Sequence, residues 1–148
     1  MPSYNALDLI ADIYTPLLVI FSLVMIGRIV QHRQWCHFQQ HIASLIIGMM
    51  ISFGLMLMDN RLLIWPSLGL DYSTHSAIAL VLVIFLIRAY TKKRAIWLLS
   101  FIAYALLMIY QHYHTFADIV STAMVVALLH SISMHIYHRI TEKKRINE

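Results

Sequence analysis

The chain has 148 residues, 60% of them hydrophobic and only 12% charged, with a formal net charge of +4. An average soluble domain carries about 25% charged residues, so the composition excludes a soluble globular class and leaves one membrane domain, 1–148, with no room for a second module. The positive charge flanks apolar runs, where membrane topology and anionic headgroups account for it, and no nucleic-acid partner is expected.

A helix needs about 20 apolar residues to cross the hydrocarbon core. Five stretches approach that length, at about 9–31, 41–58, 74–91, 95–112 and 116–137. They predict an all-α integral membrane protein, a bundle of five transmembrane helices. The first stretch is preceded by Asp8 and contains Asp12, where a secretory signal would carry positive charge. The connection 31–40 holds Cys36, the lone cysteine, so no intrachain disulfide can form. The longest connection, 59–73, contains Pro66 and Gly69 and lies where function tends to concentrate. Ser73-Thr74-His75-Ser76 opens the third stretch, with Ser73 as the expected N-cap and His75 in the first helical turn. Thr91–Arg94 reads as a tight turn, and fraying is expected from Glu142 to Glu148.

Ten of the eleven Lys and Arg residues fall on one side of this arrangement: Arg28, Arg33, Arg88, Lys92, Lys93, Arg94, Arg139, Lys143, Lys144 and Arg145. By the positive-inside rule that side is cytoplasmic, which puts the N-terminus outside and the C-terminus inside. Asp8, Asp12, Asp59, Arg61, Asp71, His75, His112, His114 and Asp118 lie across the bilayer. Trp65, Tyr72, Tyr110 and Tyr113 fit an aromatic belt on that outer face, and Trp35, Tyr90, Trp97 and Tyr137 fit one on the inner face.

The candidate chemistry is on the outer side. If the last helix begins near His114, that residue and Asp118 are four apart and share a face. The carboxylate would then fix the imidazole tautomer and leave the other ring nitrogen for a substrate. Ionisable groups at membrane depth are costly, which makes them functional candidates. Two helix N-termini open on this face and offer unpaired N–H groups to an anion, with Arg61 the only full cation nearby. Asp59 and Asp71 read as solvated loop carboxylates, and His32, His37, His41 and His138 as structural or solvated.

Tyr72-Ser73-Thr74-His75-Ser76 resembles the "PSGH" element of the type 2 phosphatidic acid phosphatase superfamily. His114-x-x-x-Asp118 resembles the end of that family's third motif, "SRxxxxxHxxxD". The resemblance runs from about Arg61 to the end of the fifth stretch, and it implies a six-span fold lacking its first span. It implies His114 as nucleophile, Asp118 as its orienting carboxylate and His75 as general acid. Arg61, Ser73 and Thr74 would bind the substrate phosphate, and neither a metal nor another cofactor is required. The family's first motif is not matched, and Leu107 and Met108 stand where the third motif has Ser-Arg. With that thinner cationic set the chain is also similar to the sphingomyelin-synthase-like branch. The function so implied is a lipid phosphatase or phosphotransferase, acting on a lipid phosphoester at the non-cytoplasmic face of a bacterial inner membrane. Two alternatives stand beside it. One is a catalytically inactive membrane scaffold or subunit. The other is a haem-binding electron-transfer protein, with His75 and His112 or His114 as axial ligands near one face, or His41 and His130 or His135 near the other.

Overall fold

The computed structural model describes the backbone of residues 4–146 and the side chains of residues 7–144. Within those bounds the chain is helical apart from turns: α1 (Tyr4–Gln31), α2 (Trp35–Leu62), the short α3 (Ile64–Ser67), α4 (Thr74–Ala89), α5 (Arg94–Tyr110) and α6 (Phe116–Ile146). A 3-10 turn, Thr91–Lys93, joins α4 to α5 at the expected tight turn. Four helices, α1, α2, α5 with its preceding turn, and α6, are long and apolar enough to cross a membrane. Their outer surfaces expose Leu9, Ile20, Met50, Leu99, Leu128 and Ile136, among others. Continuous apolar surface of this kind is stable against lipid and not against water, so this is a membrane protein.

The remaining apolar stretch, 74–91, forms a shorter helix. α4 ends at Ala89, and its 16 residues measure about 24 Å against roughly 30 Å of hydrocarbon. It is the core of the bundle, packed against α1, α2, α5 and α6. Ser76, Ala77, Ala79, Val81, Leu82, Val83, Phe85 and Leu86 are all buried. A helix that is apolar all round buries itself in protein, and hydropathy alone does not distinguish that fate from contact with lipid. Around it, Leu82, Phe85 and Leu86 join Leu18, Tyr104, Met108 and Ile119 in one cluster. Ala77 and Val81 join Trp65, Tyr72 and Val126 in another.

Helix ends also moved. α2 begins at Trp35 instead of about 41, so Cys36 lies exposed in its first turn and not in a loop. α6 remains helical through Ile146, so the expected fraying does not begin at Glu142; Asn147 and Glu148 lie outside the described residues. Arg33 takes a left-handed backbone (φ 52) just past α1. There Gln34 N–H donates to the Ile29 carbonyl at 3.1 Å and Arg33 N–H to Val30 at 2.9 Å, a paired closure of the helix end. Trp65 and Tyr72 are buried anchors and not belt residues. Their rings pack edge to face 4.9 Å apart, and the Tyr72 hydroxyl donates to the Ser52 carbonyl at 2.9 Å. Burial, reinforced by the charge of Asp59, pushes the Tyr72 phenol up to about 12, which keeps it a hydrogen-bond donor. Asp59 is itself buried, its carboxylate accepting the Trp65 backbone N–H at 2.8 Å, so it closes the α2–α3 corner and is not solvated.

At Gly48, α2 lies close against Val81 of α4 and His130 of α6. A methyl group there would sit 2.5 Å from Val81 Cγ1 and 3.3 Å from His130 Cδ2. Val81 is β-branched and stiff, so it cannot swing aside. Gly48→Ala should therefore destabilise the protein by about 1–3 kcal/mol, the usual cost of overpacking. Denaturant unfolding of the purified protein in detergent measures this, and unchanged stability would mean that the helices can part at this point.

Candidate functional site

The site is assembled by the turn between α5 and α6 and the loop before α4. α5 closes as α1 does: Tyr113 N–H donates to the Met108 carbonyl at 3.1 Å and His112 N–H to Ile109 at 3.0 Å, with His112 left-handed at φ 59. The chain then passes through His114 and Thr115 before α6 starts at Phe116. His114 is therefore a turn residue, and the expectation that it shares a helical face with Asp118 is corrected.

Asp118 has a different set of partners. Its Oδ2 accepts the Thr115 backbone N–H at 2.8 Å, while Thr115 Oγ1 accepts the Asp118 N–H at 3.2 Å. This reciprocal pair is a capping box that starts α6. The other oxygen, Oδ1, accepts the backbone N–H of Asp71 at 2.8 Å, pinning the loop before α4 to α6. Both oxygens are thus committed to main-chain N–H groups.

The carboxylate against His114 is Asp71, a solvated loop residue as expected. Its Oδ2 lies 3.4 Å from His114 Nδ1. Nδ1 is buried and has no aligned hydrogen bond, an unusual condition for a buried ring nitrogen. The His114 side chain is 12% exposed and that of Asp71 70%, so the carboxylate has freedom to rotate onto the imidazole while the imidazole stays held.

His75, exposed in the first turn of α4, reaches the same place. One cavity of about 190 Å³ is lined by His75, His114, Asp12, Tyr104, Met108 and Tyr113, together with Ala11. His114 also borders a second cavity of about 470 Å³, along with Asp71, Asp118, Thr115 and Phe116. His114 and Tyr113 thus border both spaces. Asp8, at the N-terminal end of α1, accepts hydrogen bonds from Gln111 Nε2 and the Tyr113 hydroxyl, which ties α1 to the α5–α6 turn.

The expected phosphate ligands do not gather here. Arg61 is exposed near the end of α2 and lines neither cavity. Ser73 holds the N-cap position of α4 without capping it. It is fully buried, its N–H donating to Thr122 Oγ1 at 3.2 Å and its hydroxyl to Ser76 Oγ at 2.8 Å, so it locks α4 to α6 and is not open to a ligand. Thr74 is half-buried and lines neither cavity. Asp12, given no role from sequence, is in the cavity wall; an acid on an apolar helix is the signal that could have found it. At the other end of the bundle, His130 donates Nε2–H to the Ser44 carbonyl at 3.1 Å, so the nitrogen a haem would need is already engaged.

Among known proteins, no family model matches this chain, and neither a curated protein nor a solved structure shows significant similarity to it.

Proposed function

We propose that this protein is a membrane enzyme that hydrolyses or transfers a lipid phosphoester, working through a phosphohistidine on His114. The observation that carries the reading is the meeting of His75 and His114, from separate elements, in one cavity at the membrane-interface end of the bundle. Asp71 beside Nδ1 favours the tautomer protonated there and leaves Nε2 as the nucleophile. Nε2 attacks phosphorus as the bond to the leaving oxygen breaks, and His75, as imidazolium, gives that oxygen its proton. Water or a lipid alcohol then attacks the phosphohistidine, returning its own proton to His75 and freeing His114.

The wall carries Asp12 and no Lys or Arg. A phosphomonoester with nearly two negative charges would meet repulsion there, so a singly charged phosphodiester is the better substrate. The ten cations at the opposite end support a cytoplasmic C-terminus, with α4 as a short fifth crossing. In a bacterial inner membrane the site then faces the periplasm.

The test is mass spectrometry of lipids after incubation of purified protein with a mixed panel of phospholipids and isoprenoid phosphates, wild type beside His114→Ala. One lipid species should be consumed by wild type alone, and the product separates hydrolysis from transfer. If both proteins leave every lipid intact, the reading fails. The bundle is then a non-catalytic membrane component, which the lack of a cation in the cavity favours.

A further inference from the structure

The opposite end of the bundle holds a second polar cavity, of about 260 Å³, lined by His37, Gln40, His41, Arg88, Met134 and His138. It is built from the first turns of α2, the last turn of α4 and the C-terminal half of α6. Five of these six residues are polar or cationic, and none is a carboxylate. The chemistry proposed above uses none of the six.

Arg88 gives the cavity its fixed charge. A guanidinium has five N–H donors. One goes from Nη1 to Ser44 Oγ at 3.4 Å, a hydroxyl that also contacts His130 Nε2 at 3.0 Å. That chain through Ser44 joins α4, α2 and α6 and holds the guanidinium at the cavity. Among the described residues no carboxylate lies within ion-pairing distance of it. His41 packs its ring edge to face on Phe85 at 5.7 Å, and the His37 ring stacks 6.4 Å from it. An imidazole carries at least one N–H donor in any tautomer and two when protonated, so every polar lining residue can donate to an anion.

The alternatives are weaker on the same observations. A metal would need three ligating groups converging, and no such group occurs among the described residues. An unneutralised guanidinium in the cavity wall repels a cation as well. The space equals that of about eight or nine waters, at roughly 30 Å³ each, enough for a phosphate group with part of its hydration. Arg with several neutral donors is also the donor set that recognises phosphate by shape and charge together.

We infer that this cavity binds a phosphate-bearing anion, with Arg88 as the charge and His37, His41 and His138 as surrounding donors. The anion is either free phosphate or the headgroup of a phospholipid in the adjoining leaflet. Titration of the detergent-purified protein with inorganic phosphate, and separately with a short-chain phosphatidylglycerol, separates the two sources. A short-chain diacylglycerol lacking phosphate is the control. Wild type should bind at least one phosphate ligand. Arg88→Gln and His138→Ala should each weaken that binding by about tenfold to a hundredfold, as expected for loss of a charge-assisted hydrogen bond. His138→Ala leaves the Ser44 network intact, so it stays informative if Arg88→Gln unfolds. The losses from Arg88→Gln and His138→Ala should persist unchanged in a His114→Ala background, which separates this cavity from the one at the other end. Response to free phosphate assigns a soluble ligand, and response to the lipid alone assigns a headgroup. No binding by wild type to either, or equal binding by the Arg88 and His138 variants, would overturn the inference.

Discussion

His75→Ala should melt at the wild-type temperature yet lower kcat on the lipid substrate by about 10²–10⁴-fold, the usual contribution of a general acid. His75 is exposed in the first turn of α4, and no hydrogen bond engages its ring, so its removal disturbs no packing. Its part is to protonate the leaving oxygen. The loss should therefore shrink for substrates whose leaving group is already a good one, such as a nitrophenyl phosphodiester. A loss equal for both leaving groups would show that His75 binds substrate and does not donate a proton.

The two carboxylates near His114 should separate stability from catalysis. Asp118→Ala removes acceptors from the N–H groups of Thr115 and Asp71. Breaking a capping box together with a charged hydrogen bond costs about 2–4 kcal/mol, so this variant should unfold at clearly lower denaturant. Asp71→Asn leaves its own N–H bonded to Asp118 and removes only the charge 3.4 Å from His114 Nδ1. It should keep its stability and lose at least about tenfold in kcat, through the imidazole tautomer and basicity. Chemical denaturation and single-turnover kinetics on both variants check this. If Asp118→Asn proved as stable as wild type but inactive, the orienting role would return to Asp118.

Much of the fold was legible because apolar length reports on lipid and on protein interior alike, but length alone does not say which of the two a stretch packs against. The 74–91 stretch carries the run of Ala, Val, Leu and Phe expected of a span, yet small residues at Ser76, Ala77 and Ala79 already allowed neighbours to close in on all sides. The site was legible in part. His75 and His114 stood out because histidine at the start of apolar segments is costly. Asp71 did not stand out, since its closeness to His114 depends on the loop before α4 being held to α6 by Asp118, a contact 47 residues apart in sequence. Thr115-x-x-Asp118 has the spacing of a capping box, and the reading of His114-x-x-x-Asp118 obscured it. Nothing in composition distinguishes Arg88 from its basic neighbours in the next turn. Only the meeting of α2, α4 and α6 separates it from them.

The length of α4 also has an electrical consequence. Its 16 residues form a packed layer about 24 Å thick, with a polar cavity at each end. With α4 as the proposed fifth crossing, water entering from both sides would bring the two bulk phases closer together than lipid alone allows. The transmembrane voltage would then fall mostly across this layer, where each elementary charge carried through 100 mV is worth about 2.3 kcal/mol. An anion bound beside Arg88 would sit part of the way into that field, and its occupancy would depend on whether the membrane is energised.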